Sequence, residues 1–204
     1  MGLLDGKTAL VIGASRGIDR GVAIGLARQG ARVAVTARTM TPGDAPALGN
    51  DGRRVPGSLA ETLEAIGEDA IALPADLENA DSVRTLVAET VSRLGRLDIL
   101  ANCAMGFPAN YEGMEFWKSP VGDWDAQNAV GVRSHYLASY FAAPQMVAQG
   151  SGLIVNIRRR ARSVNTTISA SEPPMAPTRA WPRPWPSTLR GTASRPSRSG
   201  RDGC

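Results

Sequence analysis

The stretch Thr8-Ala9-Leu10-Val11-Ile12-Gly13-Ala14-Ser15-Arg16-Gly17-Ile18-Asp19 sets a short apolar run directly against a glycine turn and the opening of an amphipathic segment. A run that is apolar nearly throughout reads as a strand covered on both faces, the usual state of a parallel strand. From about Gly17 to Gln29 the chain carries Ile18, Val22 and Leu26 at helical spacing, and Gly30 suits the end of a helix. Strand, glycine turn and helix in that order let backbone approach a pyrophosphate closely. The free N–H groups and the positive dipole end of the helix then face the anion. Gly13, Ser15, Arg16, Gly17 and Ile18 are therefore candidate nucleotide-binding residues. Taken alone, the glycine pair fits equally a tight βα turn that binds nothing.

Working outward, four more apolar runs follow at roughly Arg32–Ala37, Ala70–Pro74, Leu97–Asn102 and Gly152–Ile157. Amphipathic stretches separate them: one near Ser58–Ile66, one beginning at Ser82 with Val83, Leu86, Val87 and Val91 in register, and a long one over about Trp124–Gln149. Alternation of this kind predicts an α/β fold, a Rossmann-like doubly wound parallel sheet that stops after its fifth strand. The predicted dinucleotide-binding domain is residues 1–157. Beyond it the composition changes to Arg, Pro, Ser and Thr, and the seven prolines in residues 158–204 forbid regular helix or strand. A disordered Arg/Pro-rich tail is expected there.

The charge divides at the same place. Residues 1–157 hold 13 Lys and Arg against 17 Asp and Glu, whereas the tail holds 10 Arg and only two acids. The basic balance thus belongs to the tail, and ten arginines attract phosphate without an evolved purpose, so no specific nucleic-acid partner is expected. No apolar run approaches the roughly 18 residues of a membrane span, and no basic-then-apolar leader opens the chain, so a cytoplasmic location is expected and a membrane partner is not. Cys103 and Cys204 are read as free thiols, and no metal-ligand spacing is present.

Gly13 and Gly17 after the first strand, Asp76-Leu77 after the third and Asn102-Cys103-Ala104 after the fourth together resemble the short-chain dehydrogenase/reductase family. The resemblance implies an NAD(P)(H)-dependent oxidoreductase that interconverts small carbonyl and alcohol substrates by hydride transfer. It places Asp76 and the backbone of Leu77 at the adenine, with Asn102 and Ala104 beside the cofactor; a loop acid serving the next helix is the other reading of Asp76. An acid at the end of the second strand would bond a ribose 2′-hydroxyl, but this chain has Arg38, and Arg16 precedes the second glycine. Two guanidiniums flanking a 2′-phosphate favour NADP(H) over NAD(H), the alternative being that both are merely solvated. Asp19 stands where the family has glycine, close to the pyrophosphate, and is tolerable there if it points outward from the first helical turn. Glu115-Phe116-Trp117-Lys118-Ser119-Pro120, Trp124-Asp125 and Asn128 through Tyr136 resemble one branch of the family. In that register Gly131 occupies the place of the family's catalytic asparagine, and His135 reads as structural.

The family's chemistry requires a serine after strand 5 and then Tyr-x-x-x-Lys, the tyrosine exchanging the proton and the lysine lowering its pKa. Here Arg158-Arg159-Arg160 follows, and neither tyrosine nor lysine occurs after Ile157. Codon degeneracy offers a reason. Pro174 to Arg179, displaced by two bases, permits Tyr-Gly-Ala-Asn-Lys, and the same frame permits Ala-Arg-His-Gly-Val over 189–194 and Trp-Pro-Gly-Trp over 199–203. An insertion or deletion near the Ile157 codon is therefore expected, and with it a chain with no catalytic residues that lacks activity. The alternatives are a nucleotide-binding-only fragment and, in another class, an Arg-rich nucleic-acid-binding tail. An open strand edge and loss of the family's homo-oligomer are expected as well.

Overall fold

The computed structural model describes residues 2–44, 56–106, 116–118 and 120–157. The tail over 158–204, its predicted disorder and the shifted frame lie outside the described residues, as do Glu115 and Ser119 of the branch-like segment. The described elements alternate as the periodicity predicts: β1 (Thr8–Ile12), α1 (Gly17–Arg28), β2 (Arg32–Thr36), α2 (Leu59–Ile66), β3 (Ala70–Ala72), α3 (Ala80–Leu94), β4 (Ile99–Asn102), α4 (Val121–Asn128), α5 (Ser134–Ala148) and β5 (Leu153–Asn156).

The strands form one parallel sheet in the order β3-β2-β1-β4-β5. Alternate side chains of the central strands leave on opposite faces and explain why these runs are apolar throughout. Leu10 and Ile12 of β1 and Leu100 of β4 pack with Val83, Leu86 and Val87 of α3 and Ala138 and Ala142 of α5. Ala9 and Val11 of β1 and Val33 and Val35 of β2 pack on the other face with Ala23 of α1 and Leu59 of α2. Helices on both faces make the sheet doubly wound, in agreement with the sequence reading.

At the amino edge a buried carboxylate joins two neighbouring strands. Asp98, just before β4, accepts from Arg96 Nη2 at 2.6 Å, Arg96 Nε at 2.8 Å, the backbone N–H of Thr8 at 3.0 Å and Lys7 Nζ at 3.3 Å. Burial alone would raise its pKa, but these donors outweigh it and hold the carboxyl below the usual carboxylate range.

The long helix predicted over Trp124–Gln149 needs two corrections. It begins at Val121, behind Pro120, and it is not one α-helix. Between α4 and α5 the chain widens into a π-helical turn over Ala129–Arg133, centred on Gly131. Glycine leaves regular helical geometry more readily than other residues because its backbone is freer, and single π-turns cluster at functional sites. The amphipathic period is too coarse to register one inserted residue.

Candidate functional site

All five strands point their carboxyl ends to one rim. Between β1 and β4 the crossovers leave in opposite directions, which opens a crevice there. The loop after β1 fills this point. Gly13 has φ +95°, and a Cβ on it would lie 2.8 Å from Ala104 Cα and 2.9 Å from Ala104 N. Only glycine permits that approach between the loops that follow β1 and β4. On the other side the N–H groups of Gly13 and Ala14 both donate to the carbonyl of Thr36, at 2.8 and 3.0 Å, so β2 holds the loop as well. Helix α1 starts at Gly17, and its cap residue Arg16 gives the first turn no side-chain acceptor. The amides of that turn therefore receive no cap from the Arg16 side chain. Ser15 is buried, and Ile18 is exposed.

Arg16 is held rather than loose. Its Nη2 donates to Thr39 Oγ1 at 2.6 Å and its Nε to Ser15 Oγ at 3.3 Å. Partial burial and the nearby positive charge of Arg38 lower the pKa of its guanidinium, and Glu61 opposes them. Arg38 is exposed at the end of β2. Two guanidiniums that repel each other form a place where an anion lowers the electrostatic energy.

Asp19 lies in the first turn of α1 and is half-buried. Burial and, second to it, the charge of Asp19 push the thiol of Cys103 up to about 12. The charge of Asp19 is thus felt at the loop after β4. Cys103 is buried and unpaired by disulfide.

At the end of β3, Asp76 is exposed; its Oδ1 accepts from Glu78 N at 3.0 Å, and its own N–H donates to Ser82 Oγ at 2.9 Å. Asn79 caps α3, accepting from Asp81 N and Ser82 N, and Leu77 is buried against the same helix. Asp76 therefore shapes a loop that serves α3 while its side chain stands at the rim.

Below the crevice Asn102 is fully buried. Its Nδ2 reaches Asn156 Oδ1 at 2.9 Å, Ser139 Oγ at 3.0 Å and the carbonyl of His135 at 3.4 Å, which ties β4 to β5 and α5. Its Oδ1 is a buried acceptor with no hydrogen-bond partner among the described residues. His135 Nε2 lies 2.9 Å from the Ala104 carbonyl and so carries the proton that it donates. Burial lowers the pKa of this imidazole, against the opposing effect of that bond. The sequence supplied no partner for His135 because the contact spans 31 residues.

The structure thus brings Gly13, Ser15, Arg16, Gly17, Ile18, Arg38 and Ala104 to one stretch of rim, sets Asp76 and Leu77 at its β3 end, and places Asn102 in the floor. Sequence reasoning missed Thr39, Gly57 and Thr62. Gly57 has φ +119°, and a Cβ there would lie 2.6 Å from the Ser15 carbonyl oxygen and 2.7 Å from Arg16 Cβ. Thr62 Oγ1 donates at 2.8 Å to the carbonyl of Ala14. The Ser58–Glu61 spacing of a capping box was the available signal for the start of α2, but nothing local announces that this helix leans on the glycine loop. Among the described residues no group of three His, Cys, Asp or Glu is placed to hold a metal ion, and no helix is long and apolar enough to cross a membrane.

A sequence model described as short chain dehydrogenase matches residues 7–168. Dehydrogenase/reductase SDR family member 1 of Homo sapiens is 36% identical over 159 residues, which cover 76% of this chain and 46% of that protein. An L-rhamnose 1-dehydrogenase (NAD(P)(+)) of Sphingomonas sp. (strain SKA58) is 35% identical over 152 residues, 74% of this chain and 54% of the relative. Among solved structures, a short-chain type dehydrogenase/reductase from Mycobacterium marinum superposes with a TM-score of 0.59 at 28% identity, covering 74% of this chain and 55% of that one. The chain spans about half the length of the relatives it matches.

Proposed function

The chain belongs to the short-chain dehydrogenase family, and from that premise we propose that residues 1–157 bind a nicotinamide dinucleotide, NADP(H) in preference to NAD(H). The observation that carries this reading is the rim itself, where glycine at position 13 admits the close approach of two loops and Arg16 is fastened to Thr39 beside Arg38. The uncapped first turn of α1 faces the pyrophosphate, with Ser15, Gly17 and Ile18 along it. Arg16 and Arg38 face the 2′-phosphate, Asp76 and the Leu77 backbone face the adenine, and Ala104 lines the wall beneath the nicotinamide half. Asn102 supports that wall from below. Asp19 is the dissenting residue, since its carboxylate repels the pyrophosphate and weakens binding.

When bound, such a dinucleotide supplies or accepts a hydride, and an intact relative would use it to interconvert a carbonyl and an alcohol. This chain has no tyrosine or lysine after Ile157, so no group is provided to move the proton to or from the substrate oxygen. Loss of general acid catalysis alone costs roughly 10²–10⁴-fold. We infer a chain that binds dinucleotide without turning over carbonyls, its residues beyond about 157 arising from a displaced reading frame. Calorimetric titration of the full chain with NADPH and NADH tests the binding: saturable heat that is stronger for NADPH is expected, and no heat with either overturns the reading. Sequencing the coding DNA around the Ile157 codon tests the frame, and stop codons in the shifted frame overturn it.

A further inference from the structure

Family motifs account for the loops after β1, β2, β3 and β4, yet the entry to α2 also packs against Arg16. Residue 57 lies so close to the glycine loop that any Cβ would strike the Ser15 carbonyl and Arg16 Cβ. Helix α2 is fastened once more to that loop and once to α1. Thr62 Oγ1 reaches the Ala14 carbonyl at 2.8 Å, and Arg20 Nη2 of α1 donates to the Glu61 carbonyl at 3.1 Å. Within the turn, Ser58 Oγ donates to Glu61 Oε2 at 2.9 Å and accepts from Glu61 N at 3.2 Å, a reciprocal capping box that fixes where the carboxylate lies. The Glu61 carboxylate is thereby held at Ser58, the neighbour of the Gly57 that packs on Arg16, and its charge acts on the Arg16 guanidinium with sign opposite to that of Arg38.

We propose that Glu61 is a specificity-determining residue of the rim: its carboxylate, pinned in the first turn of α2 against the glycine loop, offsets part of the positive charge of Arg16 and Arg38 and so moderates the preference for a 2′-phosphorylated dinucleotide. This rests on the dinucleotide reading above. Two guanidiniums and one carboxylate leave a net charge of +1 facing the 2′-position, whereas the two guanidiniums alone would present +2. A doubly charged phosphate feels that difference strongly, and a 2′-hydroxyl hardly at all.

Glu61→Gln removes the charge and keeps the length of the side chain and its hydrogen bond with Ser58. Full chain and variant are titrated with NADPH and NADH, and in parallel with 2′,5′-ADP and 5′-ADP, which report on the adenosine end independently of the nicotinamide half. The variant is expected to bind NADPH and 2′,5′-ADP about three- to tenfold more tightly at low ionic strength, with the gain shrinking in high salt, and to change NADH and 5′-ADP affinity by less than about twofold. An unchanged ratio between phosphorylated and unphosphorylated ligands overturns the proposal, as does an equal change in both. Glu61→Ala supplies the contrast of a structural defect, since loss of the capping box lowers the melting temperature and weakens all four ligands together. A parent chain that binds none of the four overturns the dinucleotide reading and this inference together. A parent that binds them while Glu61→Gln leaves the ratio unmoved overturns this inference alone.

Discussion

Arg16 Nη2 donates to Thr39 Oγ1 at 2.6 Å, joining the loop that follows β1 to the one that follows β2. Thr39 is buried, so its hydroxyl is a fixed post for the guanidinium. A hydrogen bond to a charged group is worth about 1.5–3 kcal/mol, and its loss frees Arg16 to swing away from the 2′-position. Thr39→Val is expected to weaken NADPH binding about tenfold, read by calorimetry, while NADH binding stays within about twofold and Thr39→Ser restores the parent value.

Gly13→Ala tests the close approach of the two loops. The new Cβ meets Ala104 backbone, which has nowhere to retreat, and the residue must also hold φ +95°. Left-handed backbone strain costs a non-glycine residue on the order of 1–3 kcal/mol before the clash is counted. The variant is expected to lose dinucleotide binding in titration and to melt several degrees lower. Binding at the parent affinity would show that the crevice does not run past residue 13.

Asp19→Gly removes the carboxylate nearest the expected pyrophosphate. In a Cys204→Ser background, where Cys103 is the only thiol, it has two readouts. NADPH affinity is expected to rise at least severalfold as the repulsion goes. The pH midpoint for alkylation of Cys103 is expected to fall, because Asp19 is one of the two causes that raise it, but only modestly, since burial is the larger. An unmoved midpoint would mean that the charge at 19 is not felt at the β4 loop.

Stability should depend on acid through Asp98. Its folded pKa lies below the unfolded carboxylate value of about 3.9, so the unfolded state binds the proton first. The stabilisation is complete above that value and is lost as pH falls from about 4 through the folded pKa. Asp98→Asn is expected to cost about 1–3 kcal/mol at neutral pH in denaturant melts and to flatten the acid limb of stability against pH. An acid limb as steep as the parent's would assign it to other carboxylates.

Full chain mixed with NADPH and a panel of aldehydes and ketones is expected to oxidise no cofactor above the solvent background. Sustained turnover in a homogeneous sample would show that another group of this chain moves the proton.

How far the sequence was legible follows from the range of each interaction. The five strands and the doubly wound order were readable because a parallel strand buried on both faces shows as an unbroken apolar run, and Ala9, Val11, Leu10 and Ile12 divide between the two faces as that requires. Gly13 and Arg16 stood out through local context. Thr39 and Thr62 did not, since a threonine carries no local sign that its hydroxyl will meet a backbone or a guanidinium from another crossover. The π-turn at Gly131 escaped for a different reason, being one residue of excess in a long amphipathic helix. His135 was read as structural without a partner, and the structure supplies one in the Ala104 carbonyl.

Asn102 has more anchors than it needs. Beside Asn156 in the edge strand β5, its amide reaches Ser139 Oγ and the His135 carbonyl, both in α5. Edge strands open first in the native state, and β5 pairs only with β4 among the described residues. When β5 frays, two of the three holds on Asn102 persist, and neither runs through β5. Exchange protection at the β4 amides should accordingly outlast that of β5, so that the wall under the crevice survives openings that have already unzipped the margin of the sheet.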